Sequence, residues 1–158
     1  MSTERVRAFL SRYGLADRIR EFPESSATVQ LAARRLGVEE ARVAKTLAFS
    51  VDDDVVLVAC AGDARVDTRP FRARFGCRPR MFDAALLEER VGYPAGGVCP
   101  LAVNEGVPLY LDESLKRFDV LYFGAGSDTS LVELSIPELE RYAPCAGWVD
   151  VCKLWRDA

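Results

Sequence analysis

The sequence has 158 residues, of which 49% are hydrophobic and 28% charged, and its formal net charge is −3. This size and composition are typical of one globular domain, and the charge excludes an overall attraction to nucleic acid. The chain has no histidine, which excludes Ser-His-Asp and Cys-His nucleophile systems and imidazole-based metal sites. We therefore expect a single domain over 1–158 that uses no metal and no cofactor.

The distribution of apolar residues and cysteines bears on the compartment. No run approaches the roughly 18 apolar residues of a membrane helix, and the charged stretch 1–13 is not a signal peptide. Five cysteines without a C-x-x-C pair form neither a zinc cluster nor a disulfide framework. We expect a cytoplasmic protein without a membrane partner, and the oligomeric state stays open.

In the first half of the chain, apolar periodicity changes from helical to extended. Val6, Phe9, Leu10 and Tyr13 have helical spacing, and from Ala44 onward the period is two. The elements predicted up to residue 60 are a helix ending at Gly14, a helix from Ser26 or Thr28 to Gly37, a strand over 44–51, a turn over 52–54 and a buried strand over 55–60.

The rest of the chain mixes short helices with short strands. Helices are predicted from Asp67 or Thr68 to Gly76, from Asp83 to Gly92, and from the capping box at 135–138 toward Tyr142. Strands are predicted over 107–111, 119–123, 131–134 and 148–152. This irregular order predicts the α+β class, with a mixed, strongly curved, barrel-like sheet surrounded by helices.

Lys45 stands at the beginning of the first predicted strand. Its neighbours on the same face, Leu47, Phe49 and Val51, are large and apolar. A lysine in such a row either extends its amine to the surface or lines a cavity, where it is a fixed cation for an oxyanion or a phosphate.

Two glycine-rich segments follow. The segment 92–100 reads G-Y-P-A-G-G-V-C-P and is either an ordinary turn or a loop whose N–H groups point at an anion or a carbonyl. The segment 123–130 is either a hairpin loop or a second flexible rim with hydroxyl groups, and it does not complete a dinucleotide-binding pattern.

Six arginines lie between residues 65 and 80, and Arg65, Arg69 and Arg72 have the spacing of one helical face. They are either solvated and paired with nearby acids, or they contact the phosphates of a nucleic acid. Asp67 is the only acid within the stretch, which favours the second interpretation.

Cys99 lies in the first glycine-rich segment, so a nucleophilic thiol has to be considered. A catalytic thiolate needs a neighbouring base, cation or helix N-terminus that lowers its pKa, and no histidine is present. We expect Cys99 to shape a pocket, and we expect Cys60 and Cys152 to be buried in strands.

The order of five segments resembles the YbaK/EbsC family, which includes the editing domain of some bacterial prolyl-tRNA synthetases and its free-standing relatives. The resemblance covers about residues 22–153. The segments are A-K-T-L-A-F at 44–49, G-Y-P-A-G-G-V-C-P at 92–100, D-E-S-L-K-R-F at 112–118, G-A-G-S-D at 124–128 and V-E-L-S at 132–135.

The resemblance implies an ester hydrolase that removes a small amino acid (alanine, serine or cysteine class) from mischarged tRNA, with a synthetase as a second partner. Lys45 matches the family's near-invariant lysine. Gly96 and Gly97 are then catalytic through their backbone amides, and the attacking group is water or a substrate hydroxyl. The residues implied to contact the substrate are Thr46, Val98, Cys99, Pro100, Gly124, Gly126 and Ser127.

The chain also departs from the family. The cysteine-specific members have serine at the position of Gly124 and aspartate at that of Leu131, and some relatives have a histidine near 22–24. These differences bear on the substrate more than on the reaction. Two alternatives remain open, which are a non-catalytic module that binds tRNA or a synthetase, and a thiol-dependent enzyme that uses Cys99.

Overall fold

The protein is described by a computed structural model that covers residues 2–25 and 28–156. The first helix, α1 (Ser2–Ser11), buries Val6 and Leu10, and Gly14 follows it with a positive φ of 72°. After the short strand β1 (Ile19–Glu21) comes α2 (Val29–Leu36). Both predicted helices are confirmed.

The ends of α2 follow from local chemistry. The hydroxyl of Thr28 accepts a hydrogen bond from the N–H of Leu31, and Gly37 closes the helix in the left-handed region. Ser26, the alternative cap, lies outside the described residues.

A β-hairpin forms the centre of the fold. The strands β2 (Lys45–Val51) and β3 (Asp54–Cys60) pair antiparallel along seven residues, and Asp52 and Asp53 turn the chain with positive φ angles. This hairpin confirms the prediction from period two.

The next three elements are β4 (Arg65–Val66), α3 (Thr68–Phe75) and α4 (Ala84–Val91). The carboxylate of Asp83 accepts the N–H of Ala85 and caps α4, as the sequence predicts. Asp67 occupies the cap position of α3, but its side chain accepts no capping hydrogen bond in the described structure.

The second half contains β5 (Leu109–Asp112), β6 (Val120–Gly124), β7 (Ser130–Ser135), α5 (Ile136–Tyr142), β8 (Cys145–Val149) and β9 (Cys152–Lys153). The capping box of Ser135 and Glu138 is confirmed at the start of α5.

The prediction of one strand over 148–152 is wrong, because the chain changes sheets there. Val151 donates its N–H to the buried carboxylate of Asp112 (2.9 Å), and its carbonyl accepts the N–H of Asp67 (2.8 Å). These bonds direct the chain away from β8 and into β9.

The strands form three sheets, in the orders β2-β3-β5-β8, β1-β7-β6 and β4-β9. The first is mixed, because β5 runs parallel to β3 and to β8. Ala44 donates its N–H to the carbonyl of Tyr122 (2.8 Å), which joins the first sheet to the second. The single-domain α+β class with mixed sheets is confirmed, and the barrel-like curvature stays a prediction.

Apolar residues cover both faces of the central hairpin. Ala44 and Ala48 belong to the largest core cluster, whereas Phe49 packs on Phe71 of α3 in a second cluster, with ring centroids 4.9 Å apart. The face of β2 with small residues leaves room for a cavity. Within the described residues, no helix combines the length and apolar character needed to cross a membrane.

Candidate functional site

A cavity of about 340 Å³ opens where β2, the two glycine-rich segments and α4 meet. This volume falls within the usual range for small-molecule sites. Lys45 is the only charged residue among the described residues that line it. The lining residues are Thr28, Val29, Val43, Ala44, Lys45, Thr46, Leu47, Ala48, Met81, Phe82, Ala84, Leu87, Ala95, Gly96, Val98, Gly124, Ser130 and Leu131.

Beside this cavity, the outer edge of β2 makes backbone hydrogen bonds on both sides of Thr46. Phe82 donates its N–H to the carbonyl of Ala48 (2.9 Å), and Ser50 donates its N–H to the carbonyl of Arg80 (2.8 Å). Ala44 donates its N–H to the carbonyl of Tyr122 in β6. Since residues 44, 48 and 50 bond on this edge, strand alternation directs the N–H and C=O of Thr46 toward it as well. The strand therefore offers Thr46 as a backbone donor and acceptor at the opening.

The Thr46 side chain adds a second polar group. Its hydroxyl oxygen is buried and has no hydrogen-bond partner among the described residues. An unpaired buried hydroxyl costs about 1–3 kcal/mol, so its presence in a cavity wall favours a ligand that supplies the missing bond.

The first glycine-rich segment forms a tight turn at the cavity. Gly96 has a φ of 85°, and Gly97 donates its N–H to the carbonyl of Pro94 (3.1 Å). This pattern is that of a type II turn, whose third residue needs a positive φ. The turn uses the N–H of Gly97, whereas the N–H groups of the lining residues Ala95, Gly96 and Val98 have no protein partner in the described structure.

The second glycine-rich segment connects β6 and β7 as a hairpin and packs on the first, backbone against backbone. Gly126 donates its N–H to the carbonyl of Gly97 (2.8 Å), and a Cβ on Gly97 would lie 2.6 Å from the nitrogen of Ser127. A Cβ on Gly124 would lie 2.8 Å from the carbonyl oxygen of Val98. Gly97, Gly126 and Ser127 thus support the cavity from behind, whereas Gly124 lines it.

The close contact at Gly124 explains one departure from the family pattern. A serine here would press its Cβ against the carbonyl of Val98, so the loop has to move before a hydroxyl fits. At the second departure, Leu131 contributes an apolar side chain to the cavity. Both differences make the site less polar than the family pattern implies.

Ser130 lines the cavity, although the sequence analysis did not identify it. It is 1% exposed, and its hydroxyl lies 2.8 Å from that of Ser127 and 3.2 Å from that of Thr3. The available signal was a hydroxyl next to the glycine-rich hairpin loop. Ser130 reaches the cavity only because β7 pairs with β6, which in turn is bonded to Ala44 just before β2.

Cys99 and Pro100 are buried behind the cavity and are not among its lining residues. The sulfur of Cys99 accepts the N–H of Leu101 at 3.5 Å. Burial raises the pKa of the Cys99 thiol to about 12, which disfavours the thiolate that a nucleophile requires. Cys60 and Cys152 are buried as predicted.

Arg65, Arg69 and Arg72 lie on a surface apart from the cavity. The prediction of one helical face is wrong for Arg65, because the chain is a strand there (β4) and α3, which contains Arg69 and Arg72, begins only at Thr68; all three arginines are exposed. Among the residues that the structure describes, no carboxylate lies within ion-pair distance of them. In contrast, ion pairs hold Arg7, Arg18, Arg20, Arg35, Arg90, Arg117 and Arg156.

Comparisons with known proteins agree with this architecture. The chain is 39% identical over 156 residues to the uncharacterized protein YwhH of Bacillus subtilis (strain 168), a match that covers 98% of this chain and 99% of YwhH. The fold of this chain is similar to that in the crystal structure of a protein proposed to be a trans-editing enzyme for prolyl tRNA synthetase. That pair has a TM-score of 0.85, 26% identity and coverage of 96% and 97% of the two chains.

A second solved structure, of the hypothetical protein APE2540, has a TM-score of 0.82 and 30% identity, and the match covers 94% of this chain and 99% of that one. The family model described as the aminoacyl-tRNA editing domain matches residues 23–142. That match spans the hairpin, both glycine-rich segments and every residue that lines the cavity. The chain therefore belongs to the family of aminoacyl-tRNA editing domains.

Proposed function

We propose that this protein is a trans-editing hydrolase that removes a small amino acid from mischarged tRNA. One observation carries the proposal, which is that Lys45 and the turn containing Gly96 line the same cavity. A lone cation and free backbone amides around an otherwise uncharged cavity suit a group that develops negative charge, such as an ester carbonyl under attack.

The reaction follows from these groups. The amides of Gly96 and Val98 donate to the carbonyl oxygen of the ester, and Lys45 holds the same oxygen or the neighbouring phosphate. Water attacks the carbonyl carbon directly, or a hydroxyl of the substrate attacks first and water then hydrolyses the new ester that it forms. Hydrolysis then breaks the bond to the ribose oxygen, which takes the proton, and releases the free amino acid and tRNA. No histidine exists in the chain, and no carboxylate lines the described cavity, so positioning and electrostatics carry the catalysis.

The cavity lining favours a small amino acid of the alanine, serine or cysteine class. Apolar side chains such as Val29, Leu87 and Leu131 restrict the volume around the aminoacyl group. The hydroxyls of Thr46 and Ser130 are the polar side chains nearest to a short hydroxyl or thiol on the substrate. Backbone groups of Thr46 at the strand edge suit the amino group and carbonyl of an amino acid.

The proposed partners are tRNA and an aminoacyl-tRNA synthetase, in the cytoplasm. Arg65, Arg69 and Arg72 are the candidates for contacts with tRNA phosphates, since they are exposed and have no ion pairs in the described structure. In a chain of net charge −3, such a local patch is needed to attract RNA.

A panel of tRNAs charged with alanine, serine, cysteine, threonine and proline tests the proposal under single-turnover conditions. We expect release of one or more of the three small amino acids well above the rate of spontaneous hydrolysis, and retention of proline on its own tRNA. Release of none of the five contradicts the proposed activity.

A second candidate is a binding module of the same fold that does not turn over its ligand. Leu131 favours it, because an apolar residue lines the cavity where the cysteine-specific members have a carboxylate. Tight binding of charged tRNA without release of any amino acid on the panel supports this candidate instead.

A further inference from the structure

The short strand pair β4–β9 brings two like charges face to face. Arg65 is the antiparallel partner of Lys153, and both side chains are exposed. Like charges directly opposite each other destabilise a strand pair, and here each strand has only two residues over which that cost is spread. An anion between the two side chains removes the repulsion.

Two more cations continue this surface onto α3. The helix begins three residues after Arg65, and the bond from Asp67 to Val151 ties its start to the chain just before β9. Arg69 and Arg72 line a shallow hollow at this place. The other described residues in its lining are Asp67, which is the one carboxylate there, Thr68 and Ala73. We call Arg65, Arg69, Arg72 and Lys153 the basic strip.

The basic strip begins at the same end of the central sheet as the cavity. Lys45 pairs with Cys60, and Arg65 follows Cys60 by five residues, a span of at most about 17 Å of chain. The intervening loop packs on the cavity wall, since a Cβ on Gly62 would lie 2.8 Å from Val29. A nucleic acid that reaches from the cavity to the strip needs to cross only this loop.

The composition of the strip suits phosphates and not bases. Asparagine and glutamine are the side chains that read adenine, and the chain has only Asn104 and Gln30, which both lie outside the strip. Arginine and lysine read guanine from a wide major groove, but the major groove of an RNA duplex is too deep and narrow for side chains, so the exposed cations of the strip contact its phosphates and not its bases.

We propose that the basic strip binds the phosphate backbone of the RNA duplex next to the 3′ end held in the cavity, without reading its sequence, and that Lys153 belongs to this binding surface. The inference rests on the proposed function for the position of the 3′ end. Selection among charged tRNAs then comes from the aminoacyl group in the cavity or from a partner protein, and not from the strip.

The test uses an uncharged RNA hairpin with a tRNA acceptor stem and a CCA end, titrated with the whole protein at several salt concentrations. We expect Arg65→Ala and Lys153→Ala each to weaken binding and to lower the slope of log affinity against log salt by about 0.9. Lys116→Ala, which removes an equal charge from an exposed lysine paired with Glu113, serves as the control.

Three further results support the inference. A hairpin with a scrambled stem binds as well as the original. Lys153→Ala does not lower the melting temperature, because it removes a repulsion. Both strip variants lose less activity on an aminoacyl ester of the CCA trinucleotide, which ends before the duplex, than on charged tRNA. The inference is overturned if Arg65→Ala and Lys153→Ala have the same salt slope as Lys116→Ala. It is also overturned by a more than tenfold preference for one stem sequence, or by binding only to an acidic protein partner.

The trinucleotide ester also separates this inference from the proposed function. If the wild-type protein leaves the ester intact, the hydrolytic activity is refuted. The hairpin titration still decides whether the basic strip binds RNA.

Discussion

The cavity and the basic strip differ in how they treat charge. The cavity has one cation, Lys45, among neutral side chains and backbone groups that are held by strand and turn hydrogen bonds. The strip has four exposed cations without ion pairs in the described structure. A charge in a restricted, largely apolar site interacts more strongly than a charge in water, whereas exposed charges are screened by salt.

In our proposal, the cavity performs the chemical step and the basic strip binds the RNA. We expect changes at the cavity to alter the rate of the chemical step and to depend little on salt. Changes at the strip should alter the affinity for RNA and fade as the salt concentration rises.

Lys45→Ala removes the cation of the cavity. We expect kcat/KM for deacylation to fall by about 10²–10³, the usual loss for one stabilising donor at a reacting carbonyl. Lys116→Ala, at an exposed ion pair, is the matched control and keeps its activity. Wild-type turnover in Lys45→Ala would exclude the proposed mechanism.

Gly124→Ser introduces the side chain of the cysteine-specific members. Because its Cβ meets the carbonyl of Val98 at 2.8 Å, the loop has to shift, and we expect a loss of roughly 1–3 kcal/mol of stability together with lower turnover. Thermal melting and kcat/KM measure the two effects.

Gly76→Ala is the control for that variant. It strains the left-handed end of α3, which is not part of the cavity lining, and we expect a loss of about 1 kcal/mol with turnover unchanged. Equal activity and equal melting temperature in Gly124→Ser and the wild type would show that the loop adapts without cost.

Arg69→Ala combined with Arg72→Ala removes two cations from the strip. We expect KM for charged tRNA to rise several-fold at low salt and kcat to stay unchanged, since the strip does not touch the ester. Arg12→Ala with Arg141→Ala removes the same charge elsewhere and serves as the control. A lower kcat with unaltered KM would place these arginines in the chemical step.

Cys99→Ala should have the smallest effect on catalysis. With its pKa raised to about 12 by burial, the thiol stays protonated up to pH 9 and beyond, so it supplies no nucleophile. We expect the Cys99→Ala variant to retain deacylation. In the wild type at pH 8, we expect an alkylating reagent to modify the partly exposed Cys77 and Cys145 before Cys99, as measured by mass spectrometry. Loss of turnover in a folded Cys99→Ala would revive the thiol mechanism.

The pKa shift also affects stability at high pH. The folded state holds the proton of Cys99 more tightly than the unfolded state does, so its stabilising effect is complete below the ordinary thiol pKa of about 8.5. The effect is then lost as pH rises toward 12.

Predictions from sequence were accurate where the cause is local. Gly37, Gly92 and the capping box at Ser135 end or begin helices through contacts within a few residues, so the pattern alone identifies them. The hairpin of β2 and β3 follows in the same way from period two and a short acidic turn.

Predictions failed or were incomplete where the partner is distant in sequence. The division of β8 from β9 depends on Asp112, which lies 39 residues from Val151. The place of Ser130 at the cavity was likewise not visible in the sequence, since it depends on how the hairpin of β6 and β7 packs.

The α+β class and most helix ends were predictable from the sequence, because helix caps, turns and periodicity depend on near neighbours in the chain, and the order of five segments indicated the family. Only the tertiary structure decided that Lys45, Gly96 and Gly124 line one cavity and that Arg65 opposes Lys153. Those arrangements depend on packing between segments up to 88 residues apart (Arg65 and Lys153), and local preferences do not encode such packing.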